Sequence, residues 1–325
     1  MNRLKHIFKL ARAYKIGKTT ELPYPPYQYT IEPTNACNFK CDFCPQSDPE
    51  HSQRRPTGQL TVENFKLFLG KRRSVKPGNK NINFTLDGEP FLNKDFIQFI
   101  ELAAKDRLFS IFASNGSLIS PDKTDLLTEA GPFRASIDMA SDKNIFETIR
   151  SKKDNYEKLL KNLRYLIKKA GENENVNLEI NDISAFAGVN PKESLEKLIN
   201  LLGPDIPSRV VFRTRLFHNF CGHLGFIRKK EKYRLCPYPW TQMAVTYNGD
   251  AVPCCRDTSA RSILGNVFED DIMTVWNGSK YRLFRQNLLD KKPELNAACK
   301  DCDLPYSGGG SKWKPVYIFR SLLGR

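Results

Sequence analysis

Between residues 27 and 217 the apolar positions switch repeatedly between strand-like runs and helical spacing. The runs YQYTIEP (27–33), NINFTL (81–86), FSIFAS (109–114), FRASID (133–138), VNLEI (176–180) and SRVVFRTRLF (208–217) read as six strands. Helical patterns lie between them. TVENFKLFLG carries Thr61 as cap and turns Val62, Phe65, Phe68 and Leu69 inward. KDFIQFIELAAK follows the second strand. SPDKTDLLTEAGP places Ser120 at the cap, Pro121 in the first turn and Gly131 at the stop. The next helix opens with Asp154 and Glu157 at capping-box spacing, and NPKESLEKLINLLGP again has proline inside its start and glycine past its end. Six strands separated by five helices predict an α/β fold, a parallel sheet with helices outside. Periodicity leaves open whether the sheet stays open or curves into part of a barrel. In either form the strands' C-terminal ends carry the active site.

From residue 219 the texture changes. CPYPWTQMAVTYNGDAVPCC reads as two strands around the turn NGD, DDIMTVWNGSKYRLFRQNLL as a helix, and CKDC follows. This predicts a small β–α module held by cysteines. The expected organisation is a basic N-terminal extension (1–26), a core (27–218), the module (219–310) and a basic tail (311–325). The two ends combine basic residues with spaced apolar ones: Leu4, Ile7, Phe8, Ala11 and Tyr14, then Trp313, Tyr317 and Phe319. They read as helices packed on the exterior, with peripheral contact at a membrane surface as the alternative.

Composition narrows the class. With 40% apolar and 27% charged residues in 325, the chain is an ordinary globular protein large enough for a real core. No apolar run approaches the roughly 20 residues that span a bilayer, and the N-terminus lacks the apolar segment of a secretory signal. The expected location is cytoplasmic, where thiols stay reduced. The nine cysteines therefore read as metal ligands or reactive thiols before disulfides. The net charge of +15 is spread over solvated helix faces, and no recognition motif supports nucleic-acid binding.

Three cysteines fall in eight positions of CNFKCDFCP: Cys37, Cys41 and Cys44. The loop follows the first strand and so lies at the active-site end. It can direct three thiolates at three irons of one iron–sulfur cube, leaving the fourth iron open. Half of a zinc site and a redox thiol cluster are the competing readings.

Here the chain resembles the radical S-adenosylmethionine enzymes. Their signature is C-x3-C-x-aromatic-C, with Phe43 as the aromatic. LDGEP (86–90) resembles the family's G-G-E-P, SNG (114–116) its ribose-contacting segment, and SID (136–138) its S-x-D strand end. The resemblance implies a partial (β/α)6 barrel like an incomplete TIM barrel. It implies a 4Fe–4S cluster on Cys37, Cys41 and Cys44, with S-adenosylmethionine chelating the fourth iron. Asp87, Gly88 and Glu89 would receive the methionine ammonium; Asp87 stands where the family has glycine. Ser114, Asn115 and Ser136 would meet the ribose and carboxylate, and Arg150 would lie near the carboxylate. Reductive cleavage would give methionine and a 5′-deoxyadenosyl radical, which removes hydrogen from an unactivated C–H bond.

The module resembles the family's auxiliary-cluster region, called SPASM, in its abbreviated twitch form. Cys236, Gly249 and Cys254 match C-x12-G-x4-C, and Cys299 and Cys302 complete the set. The resemblance implies one auxiliary 4Fe–4S cluster on these four thiols, with structural zinc as the competing reading. Cys221 and Cys255 are left over; Cys221, within HNFCGH, is expected in a loop between domains that lines the substrate cavity. Asp257 is a candidate for deprotonating substrate. A fully ligated auxiliary cluster implies two-electron oxidation of a small molecule such as a sugar or polyol. A peptide maturase and a non-catalytic, zinc-stabilised basic module are the alternatives. A flavodoxin or ferredoxin would supply electrons.

Overall fold

The computed structural model describes residues 3–151, 153, 155–224 and 233–306. The core alternates strand and helix: β1 (Gln28–Ile31), α2 (Val62–Val75), β2 (Asn81–Phe84), α3 (Phe96–Lys105), β3 (Phe109–Ser114), α4 (Pro121–Ala130), β4 (Phe133–Met139), α5 (Lys143–Arg150), α6 (Tyr156–Glu172), β5 (Val176–Asp182), α7 (Pro191–Leu202) and β6 (Val210–Thr214). These follow an N-terminal helix α1 (Arg3–Ala11), which runs into a π-helical turn at Arg12–Gly17. Strands β1 to β6 are parallel, each beside its sequence neighbour. That is the strand order of a (β/α) barrel left unclosed.

The expected caps form. The Thr61 hydroxyl accepts from the Asn64 amide and the Ser120 hydroxyl from that of Lys123. Phe65, Phe68 and Leu69 are buried beneath α2. Aromatic edges join the layers: Phe84 meets Phe96 at 5.4 Å, Phe96 meets Phe112 at 5.3 Å, and Phe112 meets Phe133 at 5.5 Å.

Three features depart from the pattern. Helix α5 was not expected. It has only two buried apolar residues, Phe146 and Ile149, too few to stand out by period, and it is started by Asp142, whose carboxylate caps the Ile145 amide. The following helix α6 has Asn155 at its cap position; Asp154 lies outside the described residues. The long C-terminal helix is broken into α9 (Ile272–Trp276) and α10 (Ser279–Leu289). Asn277, at the break, uses its amide to pair with both the N–H and the carbonyl of Leu22.

The third departure is topological. The hairpin β7 (Gln242–Val245) and β8 (Asp250–Val252) forms around the NGD turn, but β7 also pairs in parallel with β1, from Gln28↔Gln242 to Ile31↔Val245. A short β9 (Gly265–Asn266) follows β8, giving one nine-stranded sheet. All four residues of β7 are buried, so no alternation marked it as an interior strand.

The N-terminal segment packs across the module. Leu10, Ala13 and Tyr14 are its buried residues, whereas Phe8 is 71% and Ile16 80% exposed. The expected inward face is thus corrected for Phe8; the side chains of Leu4 and Ile7, like Trp313, Tyr317 and Phe319, lie outside the described residues. Trp240 Nε1, in the short helix α8 (Tyr238–Thr241), donates to Thr19 O. Arg285 is fully buried against the Trp276 ring and donates to the carbonyls of Pro239, Thr20 and Trp276, each at 2.8 Å. No helix of the described residues is long and apolar enough to cross a membrane.

Replacing Arg285 with Ala strands those three buried carbonyls. Urea titration is expected to show a loss of about 3–5 kcal/mol in unfolding free energy; an unchanged midpoint would refute the bracing role.

Candidate active site

At the C-terminal end of β1 the chain enters the three-cysteine loop. Its spacer residues anchor it. Phe39 and Phe43 are buried, and Phe43 packs on Phe186 at 5.7 Å and Phe217 at 5.2 Å. The Asp42 amide donates to Ile149 O at 2.9 Å, tying the loop to α5. The same helix carries Arg150, whose guanidinium lies 5.3 Å over the Phe39 ring with Nη1 3.5 Å from Cys41 Sγ.

A cavity of about 320 Å³ opens at these strand ends. Cys37, Cys41, Cys44 and Phe43 line it, as do Asp87, Gly88 and Glu89 after β2. Ser114 and Asn115 after β3, Ser136 on β4, and Arg150 complete the first wall. The motifs therefore meet in one space although they span more than a hundred residues.

The polar groups on this wall hold one another. Glu89 accepts from Ser114 Oγ at 2.8 Å, the Asn115 amide at 2.7 Å and the Phe91 amide at 3.3 Å. Burial pushes the Glu89 carboxyl above its ordinary pKa, against those donors. Ser136 accepts from Asn181 Nδ2 at 2.9 Å. Asp138 pairs with Arg215 at 3.0 Å and Arg150 at 3.6 Å. Asp87 is a hub: Oδ1 accepts from Gln46 Nε2 at 2.9 Å and the Gly88 amide at 2.8 Å, and Oδ2 pairs with His51 Nε2 at 2.8 Å.

From Asp87 a chain of bonds crosses to the module. His51 Nδ1 meets Ser259 Oγ at 3.1 Å, Ser259 Oγ meets His223 Nε2 at 2.9 Å, and Arg54 donates to His223 Nδ1 at 2.7 Å. The donors set the tautomers: Arg54 makes Nδ1 of His223 the acceptor, so Nε2 carries the hydrogen. Burial, then Arg261 and Arg54, lowers His223 to a pKa of about 4.

The module supplies the second wall: His218, Phe220, Tyr238, Cys255, Arg256 and Thr258. Asp257 does not line the cavity. It is fully buried, and its two oxygens accept from the amides of Arg261 at 2.9 Å and Ser262 at 3.0 Å. The auxiliary thiols lie behind this wall. Cys299 interacts electrostatically with Cys236, Cys254 and Cys302. The HNFCGH loop lines the cavity through His218 and Phe220, while Cys221 itself is buried beside Cys254 and Cys302, and Cys255 also faces the cavity. Among the described residues no three His, Cys, Asp or Glu side chains gather tightly enough for one mononuclear ion.

Two observations test the fit of the implied groups. Burial pushes the Cys37 thiol up to about 12 and raises Cys41 and Cys44 as well, so these donors become thiolates only beside a strong positive charge. Arg150 is 3% exposed, and its Nε and Nη2 have no partner, leaving donors for an anionic group. Both fit a cluster with a carboxylate-bearing ligand.

Residues missed from the sequence are His51 and Ser259, isolated polar residues in loops, and Arg215, Arg256 and Thr258; Asp138 and His223 lay within the SID and HNFCGH segments but were given no such role. For Arg215 the available signal was a strand end.

The fold and the cysteine-lined cavity define an enzyme built around a metal cluster at the open end of a parallel α/β sheet. Residues 31–202, over half of the chain, match the Radical SAM superfamily, and the protein belongs to it; residues 236–303 match SPASM, an iron–sulfur cluster-binding domain. The chain is 24% identical over 277 residues to the S-adenosyl-L-methionine-dependent 2-deoxy-scyllo-inosamine dehydrogenase of Niallia circulans, covering 84% of this chain and 91% of that one. Its structure resembles BtrN in complex with AdoMet and 2-DOIA (TM-score 0.57, 18% identity, 87% and 94% of the two chains). It also resembles native anSMEcpe with bound AdoMet (TM-score 0.61, 18% identity, 92% and 98%). These structural likenesses show a shared fold.

Two outcomes are expected. Gly88 has φ +69°, and an added Cβ would lie 2.4 Å from Thr34 O and 2.6 Å from Ala36 O. Gly88→Ala should cost about 2–4 kcal/mol, read as a lower melting temperature; a wild-type value would show that the two loops do not meet. His223 is neutral in the fold at pH values where the unfolded chain protonates it. Stability is then complete above about 6.5 and falls as pH drops towards about 4. His223→Gln should flatten the pH dependence of the melting temperature in that window, and an unchanged slope would contradict the buried neutral imidazole.

Proposed function

We propose that this protein is an oxidoreductase holding two 4Fe–4S clusters, one open and one closed, that oxidises a small hydroxylated molecule such as a sugar or polyol. The observation that carries this reading is the shared cavity. The three-cysteine loop forms one wall, and the loop immediately after auxiliary Cys254 forms the other. A substrate between them touches both redox regions.

S-adenosylmethionine on a reduced cluster supplies hydrogen-atom abstraction from an unactivated C–H bond. The chain's residues do the rest. Arg150 holds the methionine carboxylate with its unpartnered donors. The backbone at residues 87–89 takes the ammonium, with Glu89 fixed behind it by Ser114 and Asn115. Phe39 and Phe43 exclude water where a carbon radical would otherwise be quenched. Cys236, Cys254, Cys299 and Cys302 give the second cluster four protein ligands, leaving no open position for substrate and suiting it to hold an electron. An alcohol going to a ketone loses one hydrogen atom, one proton and one electron, which matches this division. The dehydrogenase relative acts, by its name, on 2-deoxy-scyllo-inosamine, a small cyclic alcohol.

Anaerobically purified protein is expected to contain about eight irons with matching sulfide and, with a strong reductant, to release 5′-deoxyadenosine from S-adenosylmethionine. Cys41→Ala should lose the release and about half the iron. Zinc without sulfide, or wild-type release from Cys41→Ala, would overturn the reading.

A further inference from the structure

The two cavity walls differ in charge. On the cosubstrate wall every carboxylate is engaged by protein donors: Asp87 by Gln46, Gly88 and His51, Glu89 by Ser114 and Asn115, and Asp138 by Arg150, Arg215 and Asn181. The facing wall, among the described residues, has no carboxylate at all. The nearby acids are engaged, Asp257 capped by two amides and Asp303 paired with Arg256 at 3.3 Å, while the residues on either side of Asp257, Arg256 and Thr258, face the cavity.

Both of these are poised for a ligand. Thr258 is 2% exposed, and its Oγ1 is buried with no hydrogen-bond partner. Leaving a buried hydroxyl unmet is costly, so its position on a cavity wall marks a place where a ligand atom completes it. Arg256 donates through Nη1 to Asp303 Oδ1 at 3.3 Å, and Asp303 is itself 3% exposed. That contact fixes the guanidinium at the cavity wall, among Tyr238, Cys255 and Cys302. An arginine can only donate, so it selects oxygen, best of all an anionic pair of oxygens.

Resting on the oxidoreductase reading above, we infer that Arg256 and Thr258 form the substrate subsite and that the substrate is an acidic polyol, bearing a carboxylate or phosphate, rather than an amine. Arg256 takes the anionic group and Thr258 a neighbouring hydroxyl. A substrate ammonium would meet Arg256 and no free carboxylate, a costly juxtaposition of like charges. This chain would therefore differ in substrate charge from a relative acting on an inosamine.

The test uses holoenzyme with both clusters reconstituted and S-adenosylmethionine bound. Calorimetry measures binding of D-glucuronate, D-glucose 6-phosphate, myo-inositol and D-glucosamine. At least one acid should bind about tenfold or more tighter than myo-inositol and D-glucosamine, and the order of the two acids tells carboxylate from phosphate. Arg256→Gln should remove the preference for acid and Arg256→Lys should keep part of it. Thr258→Val, nearly isosteric and uncharged, should weaken the hydroxylated probes alike without changing their order. The inference falls if D-glucosamine binds as tightly as the acids, if neither acid saturates at millimolar concentration, or if the acid preference survives Arg256→Gln. Binding is read without turnover. Continued release of 5′-deoxyadenosine alongside any of those results would sink the substrate class and leave the oxidoreductase reading standing.

Discussion

Four residues of backbone, Gln28–Ile31, carry the architecture. They pair in parallel with β2 on one side and β7 on the other, so the three-cysteine loop and the auxiliary-cysteine hairpin leave the same sheet from adjoining strands. Without the β1–β7 ladder the two regions would be joined mainly by loops. With it, the loop after Cys254 is held opposite Cys37, Cys41 and Cys44 across one cavity. An extended strand with hydrogen bonds on both edges is among the stiffest spacers a chain can build, which suits a site where two metal groups must share one substrate.

Side chains extend that constraint into the loops. Glu32, just past β1, is fully buried and receives both Arg55 nitrogens at 2.7 and 2.8 Å together with the Tyr247 amide. Asp87 gathers Gln46, His51 and the Gly88 amide, and His51 passes the connection through Ser259 to His223. These bonds join the cysteine loop, the end of β2 and the module. Aspartate at position 87, where the resemblance expects glycine, is explained by this role, since its carboxylate is the knot of the network.

The walls then divide the chemistry. One side has a buried arginine with orphaned donors, a loop of three thiols, and carboxylates already satisfied. The other has a guanidinium fixed by Asp303 and a hydroxyl with nothing to bond. Asp257 shows how one position changes a reading. Its place just beyond Cys254 suggested a base, yet the turn at residues 254–260 buries it on the amides of Arg261 and Ser262, and Arg256 and Thr258 face the cavity instead.

What the sequence by itself determined was whatever depends on neighbours along the chain. Periodicity and caps located the six core strands and the helices with strong apolar faces, and the cysteine spacings with LDGEP, SNG and SID identified the family and one wall of the site. Helix α5 escaped because two buried apolar residues make too faint a period, whereas the α9–α10 break falls at the turn pair Asn277–Gly278, a local signal. The parallel partner of β7, the place of Cys255 on the cavity wall, the His51–Ser259–His223 chain and the burial of Asp257 on backbone amides were decided only by tertiary structure. Each depends on which surfaces meet across the sheet, and contacts between segments two hundred residues apart leave no local pattern to read.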